Sequence, residues 1–276
     1  MTDDELVLSE VANGVCTLSL NNPERRNAWS VAMETRYFEL LDEAAANAQV
    51  RAIVLTGAAS SFCPGLDVAR LQLETKGGGL RLGDRRPQHY ALTIPKPMVC
   101  AINGACAGIG LVQALVCDVR FAARGARMST AYARRGLPAE YGSSWILPRL
   151  IGVERALDLL LSARTFDAEE AHAMGLVSRL CEPESVLAEA QAYASDLAAN
   201  CAPRAMAAIR RQVWGDLSRE YTPANEVWLG VMRQFNGPSN PDFAEGVASF
   251  AERRPPRFEA LPADWDLPPL PPFAAQ

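Results

Sequence analysis

The chain has 276 residues, long enough for one large domain or two smaller ones. Hydrophobic residues make up 49% and charged residues 21%, the balance of a soluble globular protein with a sizeable core. The net charge of −5 supplies no basic field for a nucleic-acid partner, although a few local Arg side chains would suffice for a small anionic substrate.

No apolar stretch reaches the roughly 18 residues of a membrane span, and the start, MTDDELVLSE, lacks the basic and apolar regions of a signal peptide. Seven scattered Cys, with no CxxC, argue against a disulfide framework and suit a reducing, cytoplasmic setting. With only His89 and His172 present, a His-based metal site is not expected.

In chain order, residues 15–21 alternate apolar and polar like a half-buried strand. After a turn-rich segment, residues 31–47 set Met33, Tyr37, Leu40, Leu41 and Ala44 at helical spacing, with Ser30 as N-cap. Residues 51–56, 97–103 and 117–122 are short apolar runs of the kind buried parallel strands show. Residues 74–89, rich in Gly, Pro and charge, read as a mobile loop or short irregular helix. Asp167 and Glu170 make a capping-box pattern, residues 184–200 and 203–216 are amphipathic, and Asn240-Pro241 starts a helix running to about Arg253. The Pro-rich tail from Pro255 reads as irregular. This strand–turn–helix plan predicts an α/β fold with parallel strands, an α/β core over residues 1–200 and a helical region with a Pro-rich tail over residues 201–276.

Two glycine bends follow strands, at Ser61–Asp67 and at Asn103–Gly110. Bends of this kind either let strand and helix pack closely or expose main-chain N–H groups at a helix start, where two converging donors would form an oxyanion hole. Neither bend matches GxGxxG or GxxxxGK[ST].

An ordered series of motifs resembles the enoyl-CoA hydratase/isomerase (crotonase) superfamily. The series runs from Asn22-Pro23-Glu24-Arg25-Arg26-Asn27-Ala28 through Phe62-Cys63-Pro64-Gly65-Leu66-Asp67 to Pro95-Lys96-Pro97 and Ala101-Ile102-Asn103-Gly104. It continues with Cys117-Asp118-Val119-Arg120, Leu147-Pro148-Arg149 and Gly175-Leu176-Val177, and ends at Glu252-Arg253-Arg254-Pro255. The resemblance spans about residues 12–258. It implies repeated ββα units, C-terminal helices that build a homotrimer or a hexamer of two trimers, an acyl-CoA substrate in fatty-acid or related metabolism, and no cofactor beyond the coenzyme A of the substrate. It puts the two oxyanion donors on the N–H groups of Leu66 and Ile109, beside Gly65 and Gly108. It puts CoA binding near Arg26, Ala28, Cys63 and Asp67, with Arg253 reaching a CoA phosphate. Tyr132 and Trp145 are candidates for the acyl pocket.

The two glutamates typical of hydratases fall at Val112 and Tyr132 in this register, so paired-carboxylate hydration is not available. Glu140 stands where the isomerase-like branch carries its acid/base. Read by itself, Glu140 is equally a loop carboxylate, capping backbone or paired with Arg134, Arg135 or Arg149. The expected activity is double-bond isomerisation through one carboxylate. The alternatives are a CoA-thioester hydrolase or decarboxylase of the same superfamily and a non-catalytic acyl-CoA-binding relative.

Overall fold

A computed structural model describes residues 2–67, 86–217 and 240–262, together with residues 224, 231, 232 and 235. Most of the segment expected to be a loop, residues 74–85, and the tail beyond residue 262 lie outside the described residues.

Two sheets carry the fold. The larger runs β1-β2-β3-β5-β7-β10, with β1 (Val7–Ala12), β2 (Val15–Leu20), β3 (Ala52–Gly57), β5 (Met98–Ile102), β7 (Val119–Ala123) and β10 (Arg179–Cys181). Only β1 is antiparallel to its neighbour, and its register with β2 is set by the tight turn at Asn13-Gly14. The smaller sheet runs β4-β6-β8-β9, from β4 (Ser61–Cys63), β6 (Ala105–Ala107), β8 (Arg127–Ser129) and β9 (Phe166–Asp167). The chain alternates between sheets: β3 leads to β4, β5 to β6 and β7 to β8, each a longer buried strand of the large sheet followed by a short strand that pairs within the small sheet. That alternation is the expected repeat. The two glycine bends each hold a short strand, β4 and β6, that apolar periodicity over three residues is too brief to announce.

Helix α1 (Val31–Ala46) starts as anticipated, with Ser30 Oγ accepting from the Met33 N–H at 3.1 Å, and buries Met33, Tyr37, Leu40, Leu41 and Ala44. Helix α2 (Ile109–Leu115) follows β6, and all its residues are buried. Helices α3 (Ser143–Ile151) and α4 (Val153–Ser162) follow, and α5 (Ala168–Ala173) is capped by Asp167, which accepts from the Glu170 N–H at 2.8 Å. Helix α6 (Val186–Asn200) lies on the large sheet. Its buried Ala190, Ala194 and Ala198 recur every four residues, and such a stripe of small side chains lets the helix axis approach the strands closely.

Helix α7 (Pro203–Asp216) is fastened to the core by a buried ion pair. Arg210 Nε donates to both Asp118 oxygens, at 2.9 and 2.7 Å, and its remaining nitrogens donate to the carbonyls of Ala91, Leu92 and Ile94. Asp118 also accepts from the Met98 N–H and the Trp214 indole. One carboxylate thus bonds the backbone of β5 and holds a helix as well. Helix α8 (Pro241–Glu252) begins at the predicted Asn240-Pro241 start, with Asn240 Oδ1 accepting from the Asp242 N–H. Among the described residues no helix is long and apolar enough to cross a membrane.

Candidate active site

The two glycine bends meet face to face. Gly65 (φ 116°) and Gly108 (φ 52°) adopt conformations that L side chains rarely take. A Cβ on Gly108 would lie 3.8 Å from the Gly65 Cα, and one on Gly65 would lie 3.4 Å from the Ala107 carbonyl oxygen. Gly110 is constrained differently, because a Cβ there would sit 2.2 Å from the Cys63 carbonyl oxygen. Only hydrogen at this position lets α2 rest on β4.

Asparagine amides bind the loops together. Asn103 Nδ2 donates to the carbonyls of Gly57 (2.7 Å) and Ala59 (2.8 Å), joining the second bend to the first. Asn27, fully buried, donates to Ala58 (2.9 Å) and Ser61 (2.7 Å), joining the N-terminal turn to the same loop. Sequence reasoning placed both residues in motifs without seeing this role. An Asn beside a glycine bend is the available signal, since a short amide reaches backbone without a long side chain to order.

The main chain of Trp29 fixes the direction of the Leu66 peptide. Trp29 N–H donates to the Gly65 carbonyl at 2.8 Å, and the Asp67 N–H donates to the Trp29 carbonyl at 3.2 Å. In such a parallel bridge the intervening residue turns its N–H to the other side. The Leu66 and Ile109 N–H groups have no backbone acceptor among the described residues, while Gly108 N–H is used on Ser129 at 3.1 Å. Ile109 opens α2, where the first N–H groups lack intrahelical partners. For Leu66, the helix start expected after it lies outside the described residues.

Both residues line one cleft of about 50 Å3, which also touches Gly65, Gly108, Tyr132 and Glu140. Six sequence-derived candidates thus converge. Pro64, Ala131, Arg135 and Leu137 complete the lining and were not foreseen. Ala131, at φ 66°, is one of several non-glycine residues held in left-handed conformation near the cleft, together with Tyr141 at φ 51°. Such strain tends to persist where surrounding structure fixes a functional geometry.

Glu140 is half-buried, three residues before α3, and its carbonyl accepts from both the N–H and the hydroxyl of Ser143. Arg134, Arg135 and Arg149 each donate to a backbone carbonyl, those of Ser162, Ala131 and Trp145. Tyr132 is buried beside Glu140. Burial, then the neighbouring Glu140 charge, push its hydroxyl well above the usual phenol range despite an opposing bond from Ser143, so it stays protonated. Val112 is buried in α2 and offers no acid.

The remaining candidates lie off the cleft lining. Cys63 is buried, with its thiol pushed up to about 12 by desolvation, which makes it inert. Asp67 pairs with Arg25 at 2.6 Å, a partner sequence reasoning did not propose. Arg26 is exposed and in left-handed conformation, and Ala28 is half-buried between it and Trp29. Trp145 packs on the core edge with the Arg149 guanidinium 4.3 Å above its ring. Arg253 ends α8 and is exposed.

Comparison with known proteins agrees with this geometry. The enoyl-CoA hydratase/isomerase family model matches residues 10–261. The 1,2-epoxyphenylacetyl-CoA isomerase of Escherichia coli K12 is 32% identical, over 92% of this chain and 98% of its own. Among solved structures, an enoyl-CoA hydratase from Polaromonas sp. JS666 has a TM-score of 0.85 at 29% identity, covering 92% of this chain and 99% of its own. The enoyl-CoA hydratase EchA12_1 of Mycobacterium marinum is 45% identical with a TM-score of 0.67, covering 78% of this chain and all of its own. The alternating sheets are therefore those of a crotonase-type α/β fold. The chain belongs to the enoyl-CoA hydratase/isomerase family and is an enzyme of that family.

Proposed function

We propose that the protein moves a carbon–carbon double bond within an enoyl-CoA thioester. The Leu66 and Ile109 N–H groups hold the thioester oxygen, and Glu140 carries the proton. The observation behind this reading is that both N–H-bearing residues and a single carboxylate line one cleft. Glu140 takes a proton from one carbon, and the electrons of that C–H bond delocalise onto the carbonyl oxygen as a dienolate. The two N–H groups stabilise this charge where it develops. The same carboxyl returns the proton to the other end of the conjugated system, so no water or second carboxylate is consumed. One relative is named 1,2-epoxyphenylacetyl-CoA isomerase while others are named enoyl-CoA hydratases; what favours isomerisation over hydration is Val112 and Tyr132 at the positions where the family resemblance puts the hydratase glutamates. Tyr132 remains protonated and acts as a wall or hydrogen-bond donor. The CoA moiety lies toward Arg26, Ala28 and Asp67, with Arg253 at a phosphate.

The C-terminal helices pack against further copies of the chain. Supporting this are the exposed Ile209, Phe243, Val247 and Phe250, which surround an apolar groove of about 660 Å3 between α7 and α8. Phe250 is 87% exposed, and clustered exposed apolar side chains of this kind mark interaction surfaces.

The test is turnover of 3-enoyl-, 2-enoyl- and β-ketoacyl-CoA esters by wild type and Glu140→Gln. Isomerisation of the 3-enoyl ester should fall about 10²–10⁴-fold in kcat with KM little changed. Undiminished turnover in Glu140→Gln refutes the assignment. Release of free CoA or CO2 instead of an isomer would assign the site to hydrolysis or decarboxylation. Sedimentation of wild type and Phe250→Glu tests assembly: the variant should dissociate, and a monomeric wild type would rule the assembly out.

A further inference from the structure

Behind the cleft runs a buried polar chain that the proposed chemistry does not use. Trp29, Glu34, Gln88 and Gln113 are all nearly inaccessible, none above 4% exposed. The Trp29 indole N–H donates to Glu34 Oε2 at 2.9 Å, and Gln88 Nε2 donates to that same oxygen at 2.9 Å. Gln113 Nε2 donates in turn to Gln88 Oε1 at 2.8 Å.

Chemistry dictates the direction of this chain. An indole can only donate, so the carboxylate must accept from it. Gln88 must then present its NH2 to the carboxylate and its carbonyl to Gln113, which leaves Gln113 to donate. Only one arrangement satisfies every link.

The two ends of the chain fall on the two donor segments. Trp29 forms the main-chain bridge that orients the Leu66 peptide. Gln113 lies one turn beyond Ile109 on the same face of α2. We propose that Glu34, Gln88 and Gln113 are positioning residues that fix the two oxyanion donors relative to each other. A carboxylate in an apolar interior is costly unless bonded, and so is an unpaired buried amide. The chain therefore resists any rotation of Trp29 or sliding of α2 that would break a link. An apolar cluster of equal volume would fill the space without this directional restraint, since apolar packing tolerates sideways shifts that hydrogen bonds do not. The restraint matters because misplacement by about 1 Å can cost about 10²-fold in rate.

The inference rests on the oxyanion-hole reading, and one experiment separates the two. Carbonyl-labelled butanoyl-CoA, which has no double bond to move, is bound to wild type and variants, and its thioester C=O stretch is recorded. Polarisation by two N–H donors lowers that frequency in the wild type. Gln113→Met keeps volume and removes the amide. It should lose a large part of the frequency shift, and kcat on the 3-enoyl ester should fall about 10-fold with KM within about twofold. Glu34→Leu should do the same, and Glu34→Gln, which keeps an oxygen acceptor, should recover part of the shift. Should Glu34→Leu fail to fold, Gln113→Met and Glu34→Gln still decide the matter. A full wild-type shift and kcat in Gln113→Met overturns the positioning role and leaves the hole intact. Absence of any shift in the wild type removes the hole and the inference together.

Discussion

Gly110→Ala perturbs the site without altering Glu140 or either residue proposed to hold the thioester oxygen. The added methyl would begin 2.2 Å from the Cys63 carbonyl oxygen and 2.7 Å from the Cys63 Cβ. Ordinary contact starts near 3.4 Å, so α2 and β4 must separate by about 1.2 Å along that line. Neither neighbour is a flexible tip that can swing aside, because the closest atom is backbone and the next is a Cβ fixed to it, in a paired strand. Overpacking of this kind costs about 1–3 kcal/mol of stability, which leaves a domain of this size folded. The consequence for activity is larger. Ile109 rides on α2 and Leu66 follows β4, so the separation widens the gap between their N–H groups. At about 10²-fold per ångström, kcat should fall roughly two orders of magnitude, about 2.7 kcal/mol of barrier. The assay is steady-state turnover of an enoyl-CoA ester beside a thermal melt of the same preparation. Coenzyme A affinity should change less than kcat, since of its expected contacts Arg26, Ala28 and Arg253 are not among the atoms the methyl meets. A folded Gly110→Ala enzyme with wild-type kcat would refute both the stated contact and the coupling between these segments.

Two further outcomes follow from other parts of the chain. Arg210→Met leaves the Asp118 carboxylate without its cation in a partly buried site, and urea unfolding should show a loss of about 3 kcal/mol, with part recovered in the Asp118→Asn double variant. A loss under about 1 kcal/mol would mean that the pair is dispensable for holding α7. Lys96 is buried and donates at 2.7 Å to the Ala44 and Asn47 carbonyls that end α1. Burial pushes its ammonium down to about 8 from 10.5, with the nearby Cys16 opposing. The unfolded chain thus holds this proton more tightly than the folded one. The burial penalty is full below pH 8 and is relieved as pH rises through 8 toward 10.5. Melting wild type and Lys96→Met across that window should show a relative gain for the wild type, and parallel curves would contradict the assignment.

The strands and helices that sequence patterns reveal best are those with long buried faces. Ser30 and the Met33–Ala44 periodicity gave α1 to within a residue at each end, and Asn240-Pro241 marked the start of α8. The run at 117–122 was shifted, because Cys117 and Asp118 lie in the turn and β7 begins at Val119. β1 escaped notice because most of its residues face solvent, which leaves no apolar alternation to read. Glu140, Leu66 and Ile109 were found through ordered motifs, since a main-chain donor has no side-chain signature of its own. Arg210 with Asp118, and Glu34 with Gln88 and Gln113, could not be paired in advance. Their partners are 92 and 54 or 25 residues apart in sequence, and a polar side chain carries no mark of what it will meet at that distance.

The facing of Gly65 and Gly108 has one more implication. On the proposed function, the grip on the thioester is made by the path of the polypeptide, so it has no side chain that a codon change could delete. A substitution at Ile109 would then keep the donating N–H as long as the backbone path is held. New reactions on this scaffold then require only a different residue opposite the grip. The positions that tolerate no change are those whose contribution is to have no side chain at all.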